Sequence, residues 1–455
     1  MRRTTAPENA GEAVSAAARR VPTDVAVRMY RVGFGDCFLL TFSYASALPD
    51  GRAERHVLVD FGSSHRGSHG VPLPEVAEHI AAHCGGRLDV VIATHRHKDH
   101  LQGFGTIASG QAIEALSPGL VMQPWTEHPD LEHDATAPAV GDRSREFVAT
   151  IAAGQEFAAA VGEAIGAVRG VRGNVRQLAL DQVSNKAAID RLTTWGQAGE
   201  AEYLSFGATS KIEEVVPGLR VRVLGPPTVE EWPAMLGQRS DDPEYWLSQR
   251  RMLVDALGAS GLASETVTEA IANVAERGDV DPGPIRWLVA KMQGQQLASL
   301  QRIVRTVDDA LNNTSLILVF EVGDRRLLFP GDAQIENWSY PLREALEEKE
   351  RAELLGAIDL YKVGHHGSRN ATPRSLFALW GETPEDGRPL TVLMSTLAGI
   401  HGESEATRVP RSTLVEALRR RGTFLSTEEL EDEQAFVTVS AATKGDAAFE
   451  VIPER

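Results

Sequence analysis

Several features are scarce in this sequence, and each scarcity narrows what the chain can be. Cysteine occurs only as Cys37 and Cys84, which excludes a disulfide framework and favours a reducing compartment, the cytoplasm. Long apolar runs are missing: the longest, near 316–320, falls far short of the roughly 20 residues that span a bilayer. We therefore expect no membrane segment.

An excess of positive charge is also missing. The chain carries 46 Lys and Arg against 63 Asp and Glu, a formal net charge of −17. This argues against a generally basic nucleic-acid-binding surface, although it allows a local basic groove. The length of 455 residues exceeds one ordinary domain, so we expect either one large domain with insertions or two domains.

The most informative stretch is 88–104, which reads LDVVIATHRHKDHLQGF. Its β-branched apolar start predicts a buried strand, and the strand ends in His95, His97, Asp99 and His100. On extended chain, His95 and His97 leave the same side and can share one ion. Asp99 and His100 follow at the turn, where they can reach a second ion. Imidazole and carboxylate together suit Zn²⁺, Mn²⁺ or Fe²⁺.

This stretch resembles the metal-binding signature of the metallo-β-lactamase fold hydrolases. Further matches follow in the order expected of that fold: HVLVDFGSS (56–64), LLFPGDA (327–333) and YKVGHHGS (361–368). Within the fold, the chain most resembles the soluble domain of ComEC-type DNA-uptake proteins and their stand-alone relatives, through VGFGD (32–36), NNTS (312–315) and KVGHHGS (362–368). The matched blocks, 27–125, about 200–227 and 312–440, cover a little over half of the chain.

The resemblance implies an α/β fold, the αββα metallo-β-lactamase sandwich, interrupted here by large helical insertions. The order of predicted strands and helices fits two sheets between helices. The predicted organisation is a disordered tail (1–22), the first half of the core (23–142), a helical insertion (143–197), core strands (198–227), a second helical insertion serving as a lid or dimerisation element (228–311), and the second half of the core (312–455).

The resemblance also implies two divalent ions, Zn or Mn, and their remaining ligands. Asp332 resembles the carboxylate that bridges both ions. We choose His365 as the last ligand because it falls at the strand end, which leaves His366 as a ligand alternative or a group that contacts substrate phosphate. Asp36 and Asp60 match carboxylates that lie behind or beside the ligands in relatives.

One ligand of the fold has no clear counterpart. Many relatives supply a third histidine for the first ion, whereas ComEC-like sequences lack it and carry the N-N-x-S segment in that part of the chain. Asn312, Asn313 or Ser315 is then expected to face the metals, directly or through water. His128, in a Pro- and Asp-rich loop, is the alternative.

The implied activity is hydrolysis. A water held between two ions loses a proton near neutral pH and attacks the substrate, with Asp99 binding an ion and orienting the water. The groups expected to hold the substrate's anionic oxygens are Lys362, His366 and Ser368, together with Asn313 and Arg369. His401 is either the acid that protonates the leaving group or an ordinary loop histidine.

The implied substrate is a phosphodiester, DNA or RNA first. A run of arginines could form a phosphate track: Arg369, Arg374, Arg408, Arg411 and Arg419–Arg421. The net charge opposes it and favours a small phosphodiester such as a phosphocholine ester or cyclic nucleotide. A third interpretation is a metal-binding interaction module. In each case the helical insertions are candidate contacts for a second copy or a partner protein.

Overall fold

The computed structural model describes residues 21–128, 185–228, 231–232, 311–368, 370, 372–381, 383, 388–400 and 409–453. Within these ranges the chain forms two mixed β-sheets with helices, which confirms the predicted α/β class in its general form. Most of both predicted insertions and nearly all of the predicted tail lie outside the described residues. The predicted domain boundaries and the dimerisation role of the insertions therefore stay predictions.

The larger sheet begins with an antiparallel ladder and continues with parallel strands. Its strand order is β14-β13-β1-β2-β3-β4-β5-β6, and the parallel part runs from β3 to β6. The strands are β1 (Asp24–Tyr30), β2 (Cys37–Ser43), β3 (Glu54–Phe61), β4 (Val90–Ile92), β5 (Leu120–Pro124), β6 (Glu200–Leu204), β13 (Phe436–Ala442) and β14 (Glu450–Ile452).

The second sheet repeats this arrangement. Its order is β7-β8-β9-β10-β11-β12, antiparallel as far as β9 and parallel from there on, which is the pattern of β1 to β6. Its strands are β7 (Leu219–Gly225), β8 (Ile317–Val322), β9 (Arg325–Phe329), β10 (Leu360–Lys362), β11 (Thr391–Met394) and β12 (Thr423–Ser426). The segments that form β1–β6 and β7–β12 therefore have the same topology, and we call them the two halves; β13 and β14 extend the first sheet.

A buried aspartate marks the same point in both halves. Asp89 precedes β4 and accepts a hydrogen bond from the backbone N–H of His56, at 2.9 Å. Asp359 precedes β10 and accepts one from the backbone N–H of Arg326, at 2.8 Å. Both pairs are 33 residues apart in sequence. Each carboxylate also pairs with an arginine, so the halves share a stabilising interaction as well as a strand order.

Helices cover the outer side of each sheet. Those of the first half are α1 (Leu73–Cys84), α2 (Lys98–Gly105), α3 (Ile107–Glu114) and α4 (Lys186–Ala198), whereas the short helix α5 (Ile212–Val215) packs against the core between the two sheets. Those of the second are α6 (Ile335–Ser339), α7 (Glu348–Leu355), α8 (Arg374–Ala378) and α9 (Ser412–Arg421), with a π-helical turn over Tyr340–Ala345. No helix in the described part of the chain is long and apolar enough to cross a membrane.

Alternation along the strands separates three apolar cores. Side chains such as Val57 and Val59 of β3 join Phe320 of β8 and Phe329 of β9 in a core shared by the two sheets. The intervening side chain, Leu58, packs instead with α1, α2 and α4. A third core joins the other face of the second sheet to its helices. Because successive side chains of a strand point to opposite faces, both faces of each sheet are buried.

Helix α1 shows how local sequence sets these elements. Its buried side chains include Val76 and Ile80, one turn apart, and Pro74 lies in its first turn. It ends at Gly85, whose φ of 57° lies in the left-handed region that glycine adopts without strain.

Replacing Asp359 by Ala should lower the free energy of unfolding by about 3–5 kcal/mol, because breaking a buried ion pair leaves an uncompensated charge. That charge belongs to Arg325, whose side chain is 1% exposed and lies 3.3 Å from Asp359. Urea unfolding monitored by circular dichroism measures the change. The control is Asp324→Asn in the exposed turn before β9, where we expect less than about 0.5 kcal/mol. An Asp359→Ala loss below about 1 kcal/mol would contradict the assigned role.

Candidate metal centre

Polar side chains gather where the parallel strands of the two halves end. Asp60 lies at the end of β3, and the His95–His100 segment follows β4. In the second half, Asp332 follows β9, and the His365-His366 pair follows β10. Carboxyl ends of neighbouring parallel strands meet at one edge of a sheet, and this edge is where ligands bind in open α/β sheets. The two halves bring their edges together.

Four of these residues form one compact group: Asp99, His100, Asp332 and His366. Each offers one ligand atom, and these atoms lie within 4.8 Å of one another. His100 Nε2 is 3.1 Å from Asp332 Oδ2, and His366 Nε2 is 3.1 Å from Asp99 Oδ2. Three members are buried, and the Asp99 side chain is 16% exposed. We call these four residues the metal group.

Hydrogen bonds behind the metal group fix both imidazoles. His100 Nδ1 lies 2.8 Å from Asp60 Oδ2, and His366 Nδ1 lies 3.0 Å from the carbonyl oxygen of Ser395. Both partners only accept, so each Nδ1 carries a proton, and each Nε2 is directed toward the group, where its lone pair becomes available to an ion once that nitrogen loses its proton. This is the arrangement by which proteins orient metal-binding histidines. His100 Nε2 is buried and forms no hydrogen bond among the described residues.

Asp60 organises the start of this network. Its Oδ1 accepts the backbone N–H of Thr94 at 2.8 Å, and its Oδ2 accepts the Thr94 hydroxyl at 2.7 Å. The residue has a φ of 54° in the left-handed region, an unusual conformation for aspartate. His365 and His366 adopt φ values of 43° and 51°. Strained backbone of this kind clusters at functional sites because the surrounding structure must hold it.

A buried ion pair lies behind the metal group. The Lys362 ammonium contacts the Asp36 carboxylate, donates to the Gly331 carbonyl at 3.1 Å and lies 3.5 Å from Asp332 Oδ1. Burial, the largest effect, raises the pKa of Asp36. Burial would lower the pKa of Lys362, but Asp36 and Asp332 raise it overall. Lys362 is only 2% exposed, and its ammonium lies among carboxylates, while a contact with a substrate oxygen stays a prediction.

The electrostatics of the metal group favour cations. Burial would lower the pKa of His100 and of His366, but nearby carboxylates, Asp332 foremost, outweigh it and raise both pKa values. Burial would raise the pKa of Asp332, but His100, His366 and Lys362 hold it well below its usual range. The hydrogen bond from His366 similarly lowers the pKa of Asp99. A metal ion bound here would take the place of protons on the histidines.

The other two histidines of the signature lie beside the metal group without joining it. The rings of His95 and His100 have centroids 4.1 Å apart. His95 Nε2 is 3.1 Å from His97 Nδ1, and His97 Nδ1 is 3.1 Å from Asn312 Oδ1. Burial holds the pKa of His95 well below its ordinary value, so this ring is neutral at pH 7.

The structure selects between the paired histidines differently from the sequence analysis, which chose His365. It brings His366 into the metal group, whereas His365 Nδ1 lies 3.0 Å from Ser368 Oγ. The reason is the left-handed backbone at both residues, which turns the first ring away after β10. Burial lowers the pKa of His365 to about 4. His365 backs the group through its N–H, which donates to Asp332 Oδ1 at 3.0 Å.

The remaining predicted site residues fall into three sets. Ser368 is buried and donates its hydroxyl to Asn370 Oδ1 at 3.0 Å. Asn313 is also buried, and its Oδ1 has no hydrogen-bond partner among the described residues. His128 is not part of the metal group and packs against Tyr203, ring centroids 4.6 Å apart. Arg369 and His401 lie outside the described residues.

Among the described residues, the arginines of the expected phosphate track do not form a continuous exposed row. Arg421 is 2% exposed and donates Nε to the carbonyl oxygen of Trp380 at 2.6 Å. Arg419 pairs with Glu429. Arg374 and Arg420 are exposed, and Arg408 lies outside the described residues. Arg419 and Arg421, at the end of α9, therefore have partners within the protein.

Sequence reasoning missed Ser395 and Thr94, which position the metal-group histidines and Asp60. The sequence did carry a signal for both: Ser395 directly follows β11 and Thr94 lies two positions after the end of β4, so both lie at the carboxyl ends of parallel strands. Comparison with known proteins adds no relative, because neither a family model nor a curated protein matches the chain. Function is therefore argued from the site.

His366→Ala should weaken binding of the tightest divalent ion by about 100-fold or more, since loss of a mere supporting residue costs 10–100-fold. His365→Ala should weaken it far less, because only its backbone N–H touches the group. Isothermal titration with Zn²⁺ and Mn²⁺ measures both. His69→Ala is the control, since that side chain is 57% exposed and pairs with Asp432. Equal losses in the His365 and His366 variants would contradict the ligand choice.

Proposed function

We propose that this chain is a metal-dependent hydrolase of the metallo-β-lactamase fold, acting on phosphodiesters. The observation that carries the proposal is the contact between Asp99 and His366, which are 267 positions apart and meet at 3.1 Å beside Asp332 and His100. One half of the chain supplies Asp99 and His100, and the other supplies Asp332 and His366. Such convergence of ligand-type side chains supports an ion-dependent function.

The proposed fold is supported by the topology that the two halves share. Two sheets share a core, helices cover their outer sides, and the metal group lies where strands of both halves end. This is the layout implied by the resemblance of THRHKDH and KVGHHGS to the metallo-β-lactamase signature. Within this fold we propose a relation to the ComEC-type proteins, because VGFGD and NNTS occur in the same chain.

The residues of the metal group fit a divalent metal. Two imidazole nitrogens and two carboxylate oxygens are ligands that Zn²⁺ and Mn²⁺ accept. Both histidines are oriented by acceptors behind them, and a buried Nε2 of His100 faces a carboxylate without a hydrogen bond. We propose two ions, Zn or Mn, with His95 and His97 beside the second. When bound, such ions lower the pKa of a water and neutralise charge on the reacting oxygens.

The chain's own residues have distinct proposed tasks. Asp99, the partly exposed member of the group, is the carboxylate that a water or substrate reaches, and it orients the attacking water. Lys362 acts as a positioning residue: its ammonium holds Asp36 and one edge of Asp332 behind the group. His365 is held by Ser368 at the half-buried rim, where its ring can contact a substrate oxygen or a leaving group.

Nucleic acid is the first proposed substrate, on the strength of the ComEC-like motifs. A small phosphodiester, such as a phosphocholine ester or cyclic nucleotide, is the second. The second candidate is favoured by two observations: Arg421 is buried and Arg419 is paired with Glu429, and the net charge is −17. A long anionic polymer needs a row of exposed cations, whereas one small phosphate group does not.

Asp99→Ala should reduce metal-dependent phosphodiester hydrolysis by roughly 10²–10⁴-fold, since it removes both an ion ligand and the group that orients water. The panel is linear DNA, plasmid, RNA, bis-p-nitrophenyl phosphate and a phosphocholine ester, each with Zn²⁺ and Mn²⁺. The matched control is Asp446→Ala, an exposed aspartate outside the site.

The outcomes of this panel separate the candidates. Nicking of plasmid supports the nuclease, and turnover of small esters alone supports the second substrate class. Tight metal binding without turnover of any substrate supports the interaction module instead. Full activity of the Asp99→Ala variant, or inactivity of the unmodified chain with both metals, overturns the proposed enzyme.

A further inference from the structure

A cavity of about 700 Å³ lies at the end of the second sheet that is opposite the metal group. Four arginines line it: Arg220, Arg325, Arg326 and Arg388. Arg325 begins β9 and Arg388 precedes β11, whereas Asp332 and Ser395 follow the other ends of these strands. A strand rises about 3.3 Å per residue, so the five residues of β9 alone span roughly 16 Å between the two places. The cavity is therefore separate from the metal group.

The first half of the chain shows how this fold balances arginines at the equivalent place. Arg52 and Arg55 both contact the buried Asp89. A second carboxylate, that of Asp50, lies 3.0 Å from Arg52 Nε and 3.0 Å from Arg55 Nη2. Two carboxylates therefore neutralise two guanidiniums in the first half.

The second half has a similar pair of arginines but one carboxylate between them. Asp359 Oδ1 is 3.3 Å from Arg325 Nη1 and 2.8 Å from Arg388 Nη2. Arg325 occupies the position of Arg55, because each precedes the residue whose backbone N–H donates to the buried aspartate. No second carboxylate of the described residues pairs with Arg325 or Arg388, and Arg388 Nε is buried without a hydrogen-bond partner among them. An anion in the cavity would do for these arginines what Asp50 does in the first half.

The acidic side chains around the cavity limit the charge of that anion. Glu321 lies 3.3 Å from Arg326 and pairs with it. Asp324 Oδ2 accepts the backbone N–H of Gly445 at 3.0 Å, and Asp446 is exposed next to that glycine. Like charges repel, so these carboxylates oppose a ligand with several negative charges. A single anionic group suits the cavity, and the same carboxylates would attract a cationic group elsewhere on the ligand.

We propose that the cavity binds a small organic molecule that carries one carboxylate, contacted by Arg388 and by Arg220, which is exposed on β7. A guanidinium offers a planar pair of N–H donors that matches the two oxygens of a carboxylate. The cavity volume lies within the range of small-molecule sites. The lining contains no member of the metal group, so this proposal does not rest on the proposed function.

Isothermal titration of the full chain with butyrate, 4-aminobutyrate, inorganic phosphate and citrate, at constant ionic strength, tests the proposal. Butyrate and 4-aminobutyrate should bind saturably, with dissociation constants of about 1 mM or below. Phosphate and citrate should bind about 10-fold more weakly or worse, because they bring further negative charge close to Asp324 and Asp446. Removal of divalent ions with a chelating resin should leave the binding of butyrate unchanged, because the cavity is separate from the metal group.

Arg220→Ala and Arg388→Gln should each weaken the binding of butyrate by about 10-fold, the size expected for loss of a charge-assisted hydrogen bond. The matched control is Arg222→Ala, because Arg222 is also exposed on β7, pairs with Glu350 and does not line the cavity. This variant should keep the dissociation constant of the unmodified chain. Because Arg388 also pairs with Asp359, circular dichroism checks the folding of its variant, and Arg220→Ala decides the test if Arg388→Gln does not fold.

The proposal is overturned if neither butyrate nor 4-aminobutyrate binds, or if the Arg220→Ala variant binds butyrate as tightly as the unmodified chain. Phosphate or citrate binding as tightly as butyrate would also overturn it, since that result indicates a general anion site. Loss of butyrate binding after resin treatment would overturn it as well, by locating the carboxylate at the metal group. Failure of the chain to hydrolyse any substrate changes none of these outcomes, so the two proposals are tested separately.

Discussion

The structure depends on a concentration of buried negative charge at one edge. Asp36, Asp60 and Asp332 are each no more than 1% exposed, and Asp99 stands next to them. Carboxylates so close cannot all stay ionised in a protein interior unless cations lie among them. Lys362 is one such cation, and His100 and His366 are drawn toward the protonated form by the same carboxylates. The strained turns and buried hydrogen bonds around the site hold this arrangement together.

Local sequence predicted much of this edge because several ligand-type residues follow single strands. The segment from His95 to His100 could be placed from its spacing and its apolar strand, and Asp60 from the end of β3. Contacts between residues far apart in the sequence could not be predicted in the same way. The choice between His365 and His366 depends on two left-handed backbone angles. Neither residue is a glycine, so the sequence does not indicate these angles. The depth of Lys362 likewise follows from packing with Asp36, far away in sequence.

The sequence analysis did not predict the duplicated topology. Asp89 and Asp359 each precede a short apolar strand, and each bonds to a residue 33 positions earlier. The pairing of the strands makes the correspondence visible. The arginines after β10 show the opposite error. Their clustering in sequence suggested a surface, but Arg421 folds inward to donate to Trp380.

Because both repeats contribute residues to the metal group, ion binding affects the free energy of association between them. Asp99 and His100 belong to one repeat and Asp332 and His366 to the other, so neither repeat alone can offer the full coordination shell. An ion that binds only the assembled pair acts as a clamp, and by mass action its binding free energy adds to the cohesion between repeats. An ion bound to the metal group would therefore link cation supply to the stability of the contact between the repeats: separating the repeats would release the ion, and removing the ion would weaken their association.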